Sequence, residues 1–372
     1  PQQRPSEMTW ESPKCIGDVP NKRSGHSLTA LTSNPFVYLF GGCESGRPPA
    51  PSNEVYKLDM GDSNEFYWGK IETDNSNSSS PTPRWNHSAN LLPDGKTIIT
   101  FGGFGTKAQP RLNDVWLFDT ESEKWSQPNA GRTNENNGAV SFRVDWKNCP
   151  VPRGSHSASV VDNNLLVFGG YGGSGFTRKD FNDLYALNLK SFAWSPLETS
   201  GEIPNERSGH KTVVVESQLY VMGGWNAMVQ FDDMYILDTA TSIWSKPTSS
   251  CGPESWGSPR WNFSAVSIYA VPYWKIFVFG GNSGSLDDAK PQGTYMNNVQ
   301  VLECTPENPG WTHPDVVGSA PKPRADTECI YFEDSGKLVV FGGWANRWFG
   351  DLHTCKVDDV VGPPYNVDEI ER

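Results

Sequence analysis

Six glycine pairs divide this 372-residue chain into segments of similar length and pattern. Each pair ends a short apolar run, as in "FVYLFGG" and "KLVVFGG". The steps between successive pairs are 61, 67, 54, 57 and 62 residues. A period of this size indicates one small structural unit used six times, because a lone unit of that length buries little apolar surface. The first glycines of the pairs are Gly41, Gly102, Gly169, Gly223, Gly280 and Gly342.

Each unit contains four short segments in a fixed order. An Arg-led segment such as "RSGHS" or "RWNHS" comes first, the run ending in Gly-Gly comes second, and a segment such as "NDVWLFD" comes third. A Trp closes five of the units, as in "KWSQP". These runs are too short and too closely bounded by glycine and proline for helices, so we interpret them as four strands, a to d.

The sixth unit lacks its closing Trp, and the N-terminus supplies a match. "TWESP" around Trp10 resembles "KWSQP" around Trp125. Trp10 precedes Arg23 by 13 residues, which is the same interval as from Trp194 to Arg207. We therefore predict that the N-terminal segment adds strand d to the last sheet, which closes the six sheets into a ring.

Composition limits the classes of function. A formal net charge of −12 disfavours nucleic acid as a partner, because such binders need a basic surface. No apolar run approaches the roughly 20 residues of a membrane helix, so we expect no membrane insertion. Seven cysteines, an odd number without a Cys-x-x-Cys pair, favour a reducing compartment, and we expect a cytoplasmic protein, with cytoskeletal association as one version of that location.

The register of Gly-Gly, Tyr and Trp over nearly the whole chain resembles the kelch repeat. The resemblance implies an all-β fold: a six-bladed β-propeller of four-stranded antiparallel blades, closed by the N-terminal strand. Residues 1–360 then form one domain, and residues 361–372, which include Gly-Pro-Pro at their start, are expected to be a linker. The predicted repeat cores are 23–70, 84–127, 153–196, 207–246, 260–313 and 324–358 with 8–14.

Most repeated residues have a structural interpretation. The glycine pairs suit crowded backbone and positive φ, and the Tyr and Trp side chains are expected to be wedges between neighbouring sheets. Four histidines at one repeat position are expected to be buried and hydrogen-bonded, since one histidine per blade cannot easily share a metal. They are His26, His87, His156 and His210.

Six arginines begin the innermost strands, and two interpretations stay open for them. Each guanidinium could bond neighbouring backbone or carboxylates, or the six could form a basic rim at one mouth of the central channel. They are Arg23, Arg84, Arg153, Arg207, Arg260 and Arg324.

The predicted binding face carries the loops between strands b and c and between strands d and a. Antiparallel strands place both sets of loops on the side where strand a begins. Aromatic and Arg residues, which are common anchors of protein interfaces, are frequent there. Besides the six arginines, we predict that a partner contacts Trp85, Phe104, Arg111, Tyr171, Arg178, Trp225, Trp261, Trp344, Arg347 and Trp348. An insertion at 131–148 is also expected to overhang this face.

The leading functional prediction is a non-catalytic protein-interaction domain without cofactor or metal. Its ligand is expected to be a protein or peptide, with an acidic or phosphorylated segment as one form. The resemblance leaves two alternatives. One is a copper- or iron-dependent enzyme, although the iron motif Glu-x-x-x-Asp-x-x-x-His is missing. The other is the targeting propeller of a multidomain phosphatase, ubiquitin-ligase adaptor, or ciliary or cytoskeletal protein.

Overall fold

The structure is a computed structural model that describes residues 7–46, 48–61, 65–73, 80–128, 148–173, 177–247, 258–284, 294–305 and 309–361. The described residues form six sheets that repeat one order of four antiparallel strands, as predicted. The insertion predicted to overhang the binding face lies outside the described residues except at 148. The predicted linker also lies outside them, apart from residue 361.

Each sheet, or blade, is built outward from strand a to strand d. The a strands are Ser27–Ala30, Ser88–Leu91, Ser157–Val161, Lys211–Val215, Ser264–Ala270 and Glu328–Phe332. The b strands are Phe36–Phe40, Thr97–Phe104, Asn164–Phe168, Gln218–Met222, Tyr273–Phe279 and Lys337–Phe341. The c strands are Val55–Asp59, Arg111–Asp119, Leu184–Asn188, Met234–Asp238, Val299–Cys304 and Leu352–Lys356. The d strands are Glu65–Ile71, Lys124–Ser126, Trp194–Pro196, Ile243–Ser245, Gly310–Thr312 and Glu7–Glu11.

The N-terminal strand completes the sixth blade. Glu7–Glu11 pairs antiparallel with Leu352–Lys356, with Trp10 opposite Cys355. As predicted, the N-terminal segment supplies strand d of the sixth blade, whose own repeat lacks the closing Trp.

Three blades carry a fifth, outer strand that the repeat pattern did not predict. These strands run parallel to strand d of blades one, four and six, respectively, and they are Lys14–Gly17, Ser200–Gly201 and Asp315–Gly318. The remaining short elements are strands Arg23–Ser24, Cys43–Glu44, Ala50–Pro51, Tyr171–Gly172 and Lys179–Asp180, a 3-10 turn Glu333–Ser335 and a helical turn Asp358–Val361. Among the described residues, none of the helical segments could cross a lipid bilayer.

A closed circle of backbone hydrogen bonds joins the six blades at the axis. The amide N–H of each member donates to the carbonyl of the member in the preceding blade, and the first blade donates to the sixth, over 2.7–3.0 Å. All six residues have φ between +49° and +64°. We call this set the axial ring; its members are Gly25, Asn86, Ser155, Gly209, Asn262 and Asp326.

The Trp residues of strand d are wedges between blades, as predicted. Trp68 is fully buried, and its ring centroid lies 5.2 Å from that of Phe341 in the preceding blade. Trp194 contacts Phe101 in the same way at 5.0 Å. Six hydrophobic clusters join successive blades, and one of them joins blade six to blade one. The core is therefore continuous around the ring.

The glycine pairs lie where neighbouring blades come closest. Gly41 and Gly42 have φ of +67° and +94°, and the Gly42 amide donates to the Arg84 carbonyl of the next blade at 2.9 Å. A Cβ on Gly41 would lie 2.7 Å from that same carbonyl oxygen. Both the backbone conformation and the space therefore require glycine, as predicted.

Candidate functional site: the propeller mouth

The six repeat arginines are buried clamps. Their exposed fractions are 0–1%. Arg84, for example, donates from Nη1 to the Gly102 carbonyl at 3.0 Å and pairs with both oxygens of Asp114 at 2.9 and 2.8 Å. Each clamp thus ties the start of strand a to the end of strand b and the start of strand c, which stabilises the blade.

The clamp explains why the acidic residue recurs in the third segment of the repeat. Arg153 pairs with Asp183, and Arg324 pairs with Asp351. Burial by itself would raise the pKa of Asp351, but hydrogen bonds from Arg324 and His353 bring it below its ordinary value. The carboxylate is therefore held in its charged form beside the guanidinium.

Blades one and five use other partners for the repeat arginine. Arg23 contacts Glu44 and Glu54, and in the fifth blade Arg260 donates to the amide oxygen of Asn298 at 3.3 Å. The prediction of an accessible arginine rim is therefore wrong in geometry for all six residues, because a fully buried guanidinium that already bonds its own blade cannot contact a partner. Each of the six arginines instead has a structural role, in which its guanidinium bonds groups of its own blade.

Aromatic side chains, instead, surround the axis on the predicted face. The residue after each repeat Arg pairs with the residue after the Gly-Gly of the same blade, as in Trp85 with Phe104 and Ser208 with Trp225. The residue after each repeat Arg directly precedes a member of the axial ring in sequence. We call the surface that the paired residues form the mouth; its aromatic members are Trp85, Phe104, Tyr171, Trp225, Trp261, Tyr295, Trp344 and Trp348.

Four of the blades contribute aromatic rings to an arc at the mouth, which consists of two groups of contacting rings. Ring centroids lie 5.0 Å apart for Trp85 and Phe104, and 4.7 Å apart for Phe104 and Tyr171. The pair Trp225 and Trp261 continues the arc at 5.3 Å. Phe104 is only 7% exposed and supports its neighbours from below, whereas the other four rings are half-buried and remain accessible.

Arg178 links the two halves of the arc. Its Cζ lies 3.9 Å from the Tyr171 ring centroid and 4.4 Å from that of Trp225. Asp180 accepts hydrogen bonds from its Nε and Nη2 at 2.9 and 2.6 Å, and Ser208 Oγ accepts a third at 2.7 Å. The guanidinium is thereby fixed and its charge is balanced inside the protein.

The sixth blade contributes a second aromatic pair. Trp344 and Trp348 have centroids 4.4 Å apart and are paired through their backbones. Tyr295 lies close by, since a hydrogen bond with Trp344 influences its pKa, which burial raises. Sequence reasoning missed Tyr295, although its loop "AKPQGTYM" is among those expected on this face.

The two remaining predicted arginines differ in exposure. Arg111 donates to the Gly173 carbonyl at 2.6 Å and so fastens one loop to another. Arg347 is exposed, with Cζ 5.0 Å from the Phe349 ring centroid. Arg347 is therefore available to a partner at the edge of the mouth.

An apolar groove extends the mouth between blades four and five. It has a volume of about 430 Å³ and contains Met228, which is 78% exposed, and Val229, which is 49% exposed. One of its lining residues, Gln230, pairs through the backbone with Trp225 of the mouth. Neither side chain is predictable from the repeat, because an exposed methionine in a loop gives no repeat signal.

Below the mouth, the repeat histidines are buried. Three of them bond a serine of the preceding blade through Nε2, as His210 does with Ser157 Oγ at 2.8 Å. Burial first, and then the adjacent arginine, lower the pKa of His156 to about 3. The prediction of hydrogen-bonded histidines therefore holds for His87, His156 and His210, whereas His26 is buried with no hydrogen-bond partner for either ring nitrogen among the described residues. Within the described ranges, no three His, Cys, Asp or Glu residues are grouped so that they could hold a metal ion.

Sequence comparison gives the family to which this architecture belongs. The KLHDC2/KLHL20/DRC7 Kelch-repeats domain model matches residues 4–144 and 140–281. The chain belongs to the kelch-repeat family.

Relatives of this kelch propeller occur in proteins of very different size. It is 34% identical over 371 residues to the "Dynein alpha chain, flagellar outer arm" of Chlamydomonas reinhardtii, covering 96% of this chain and 7% of that protein. It is 30% identical over 323 residues to human "Kelch domain-containing protein 1", covering 80% of this chain and 70% of that protein. It is 29% identical over 303 residues to Drosophila melanogaster "Host cell factor", covering 74% of this chain and 18% of that protein. The chain therefore spans only a small part of the dynein and the host cell factor.

Proposed function

We propose that this kelch propeller is a non-catalytic domain that binds a segment of a partner protein across its mouth. The arc from Trp85 to Trp261, with Arg178 fixed between Tyr171 and Trp225, is the observation that carries the proposal. Half-buried aromatic rings lose little side-chain entropy on binding and bury a large apolar area. The contacting residues that we propose are Trp85, Tyr171, Arg178, Trp225, Trp261, Trp344, Arg347 and Trp348.

The experiment is a peptide selection with matched surface variants. A displayed library of random 12-residue peptides is selected on the purified propeller, and enriched peptides are titrated by calorimetry. Trp225→Ala and Trp344→Ala should each weaken binding by at least about tenfold, which is the effect of losing an aromatic anchor. Tyr67→Ala, which removes a 53% exposed ring on strand d of blade one, is the control and should leave affinity unchanged. Equal losses of affinity in all three variants would contradict the placement of the binding site at the mouth.

A second proposal concerns the assembly in which the propeller works. The match to the flagellar outer-arm dynein covers 96% of this chain, so we propose that the propeller serves a ciliary or cytoskeletal protein. This favours the ciliary alternative over a phosphatase or a ubiquitin-ligase adaptor. Tagged propeller expressed in flagellated cells should then concentrate in the flagellum and remain with demembranated axonemes, and the Trp225→Ala variant should be released. A uniform cell-body distribution would count against this assignment.

A further inference from the structure

One member of the axial ring, Asp326, carries a carboxyl group at the floor of the mouth. The equivalent positions in the other blades are Gly, Asn or Ser, so within this ring the ionisable group is unique to blade six. Its Oδ1 accepts a hydrogen bond from Asn262 Nδ2 at 2.7 Å, which fixes its orientation toward the neighbouring blade. A carboxylate at this point is not explained by the repeat, because the backbone ring forms with any residue that tolerates positive φ.

Backbone hydrogen bonds place Asp326 near the axis, because it is one of the six members of the axial ring. Burial raises the pKa of Cys43 in blade one, Tyr171 in blade three and Tyr295 in blade five, and the charge of Asp326 adds to each rise. Asp326 also lines a small pocket of about 50 Å³ enclosed by the axial ring and the residues just below it.

The carboxylate has no counter-charge in direct contact. In the part of the chain that the structure describes, no Lys, Arg or His nitrogen lies within 4.0 Å of Asp326; the nearby Lys211 is paired with Glu328. Burial raises the pKa of Asp326 to about 6, and the amides of Asn262 and Asn86, followed by the charge of Lys211, oppose that shift. A half-buried charge without an ion pair is a cost in the free protein that a bound cation would offset.

The aromatic walls of the mouth, like Asp326, favour a bound cation. The faces of Trp and Tyr rings carry negative potential and attract ammonium and guanidinium groups, as the position of Arg178 between two rings already shows. The chain carries a net charge of −12. The six repeat arginines, which would have attracted an acidic segment, are buried and bonded inside their own blades.

We propose that the mouth accepts a lysine or arginine side chain from a basic segment of the partner protein, with Asp326 as its counter-ion and the aromatic arc as its wall. This rests on the proposed function and replaces the acidic or phosphorylated ligand expected from sequence. A pocket of about 50 Å³ holds a few water-sized groups, each needing roughly 10–15 Å³. The pocket is also lined by the repeat histidines and by the Lys211–Glu328 ion pair. The end of one cationic side chain matches it in size, and the rest of the segment would lie across the rings on the mouth side of the axial ring.

The test uses the peptides that the library selection enriches on the wild-type propeller. They should be enriched in Lys and Arg and depleted in Asp and Glu. Asp326→Asn keeps an oxygen for the Asn262 amide and should lower affinity at least about tenfold, as loss of a buried charge partner does. Glu121→Gln, in an exposed turn between strands c and d on the opposite face, removes the same charge and should change nothing.

A change in the peptide gives an independent measurement. Replacing the Lys or Arg of a selected peptide by Gln should cause the same loss on the wild-type protein, whether or not the Asp326→Asn variant folds well. Acidic peptides that lose affinity with Trp225→Ala but not with Asp326→Asn would overturn this inference and leave the proposed function standing. If no peptide binds, or if binding is indifferent to Trp225→Ala and Trp344→Ala, both are overturned.

Discussion

Trp10 gives the most direct test of how the ring is held closed. It lies on the N-terminal strand, is 1% exposed, and packs on Phe279 of the fifth blade with ring centroids 5.4 Å apart. Its substitution by Ala removes the wedge between the last two blades while leaving the backbone pairing with Cys355 possible.

The expected loss follows from the burial of the side chain. Truncating a fully buried Trp to Ala costs about 3–5 kcal/mol where the surroundings cannot collapse, and a ring of stiff sheets collapses little. At about 2.1 cal/mol/K per residue, a chain of 372 residues has an unfolding entropy near 0.8 kcal/mol/K. The melting temperature of Trp10→Ala should therefore fall by about 4–6 °C in differential scanning calorimetry.

Trp311 offers a matched control, because it is the same residue type on strand d of the fifth blade. It is half-buried, whereas Trp10 is fully buried. Trp311→Ala should therefore cost only about 1–2 kcal/mol and lower the melting temperature by about 1–3 °C. Equal shifts for the two variants, or a shift under about 2 °C for Trp10→Ala, would refute the argument that inter-blade burial at the closing strand holds the ring.

The remaining predictions concern closure, the arginine clamps and pH. Deleting residues 1–14 should abolish or strongly lower the cooperative melting transition, because it removes strand d of the last blade; an unchanged melting curve would contradict closure. Asp233→Ala should destabilise the protein by about 3–5 kcal/mol in chemical denaturation, since it leaves Arg207 buried without its carboxylate; a loss below about 1 kcal/mol would argue against the clamp. The four repeat histidines have pKa values lowered by burial, two of them to about 3. Unfolding therefore takes up protons below about pH 6.5. Each histidine should lower the free energy of unfolding by up to about 1.4 kcal/mol per pH unit as the pH falls. The melting temperature should be lower at pH 5.5 than at pH 7.5 and less pH-dependent in His156→Gln; equal values at both pH would contradict neutral buried histidines.

Much of the architecture is readable from sequence because it depends on local, repeated constraints. Positive φ and close approach at Gly41 and Gly42 require glycine, and a wedge such as Trp68 requires a large ring. Each recurs in register, so six copies reinforce one interpretation. The N-terminal strand was predictable for the same reason, since Trp10 fills the one place where the pattern lacks its Trp.

The candidate site was only partly predictable. The face followed from strand direction, and Trp225 and Tyr171 do lie on it. The arginines were ambiguous, because a guanidinium at the start of strand a can point outward or bond a carboxylate, and only the contact between Arg84 and Asp114 decides. The fifth strands of three blades were missed because they are parallel additions outside the repeat.

The repeat in the sequence alone determined six blades, their strand order and the joining of the two chain ends, because those features depend on residues that recur at fixed intervals. The tertiary structure decided which repeated side chains are accessible. It also brought Asp326, a departure from the repeat in sequence, to the axis, where it forms the axial ring with residues of the five other blades. Distances between residues on different blades are set by ring closure, and no interval along the chain encodes them.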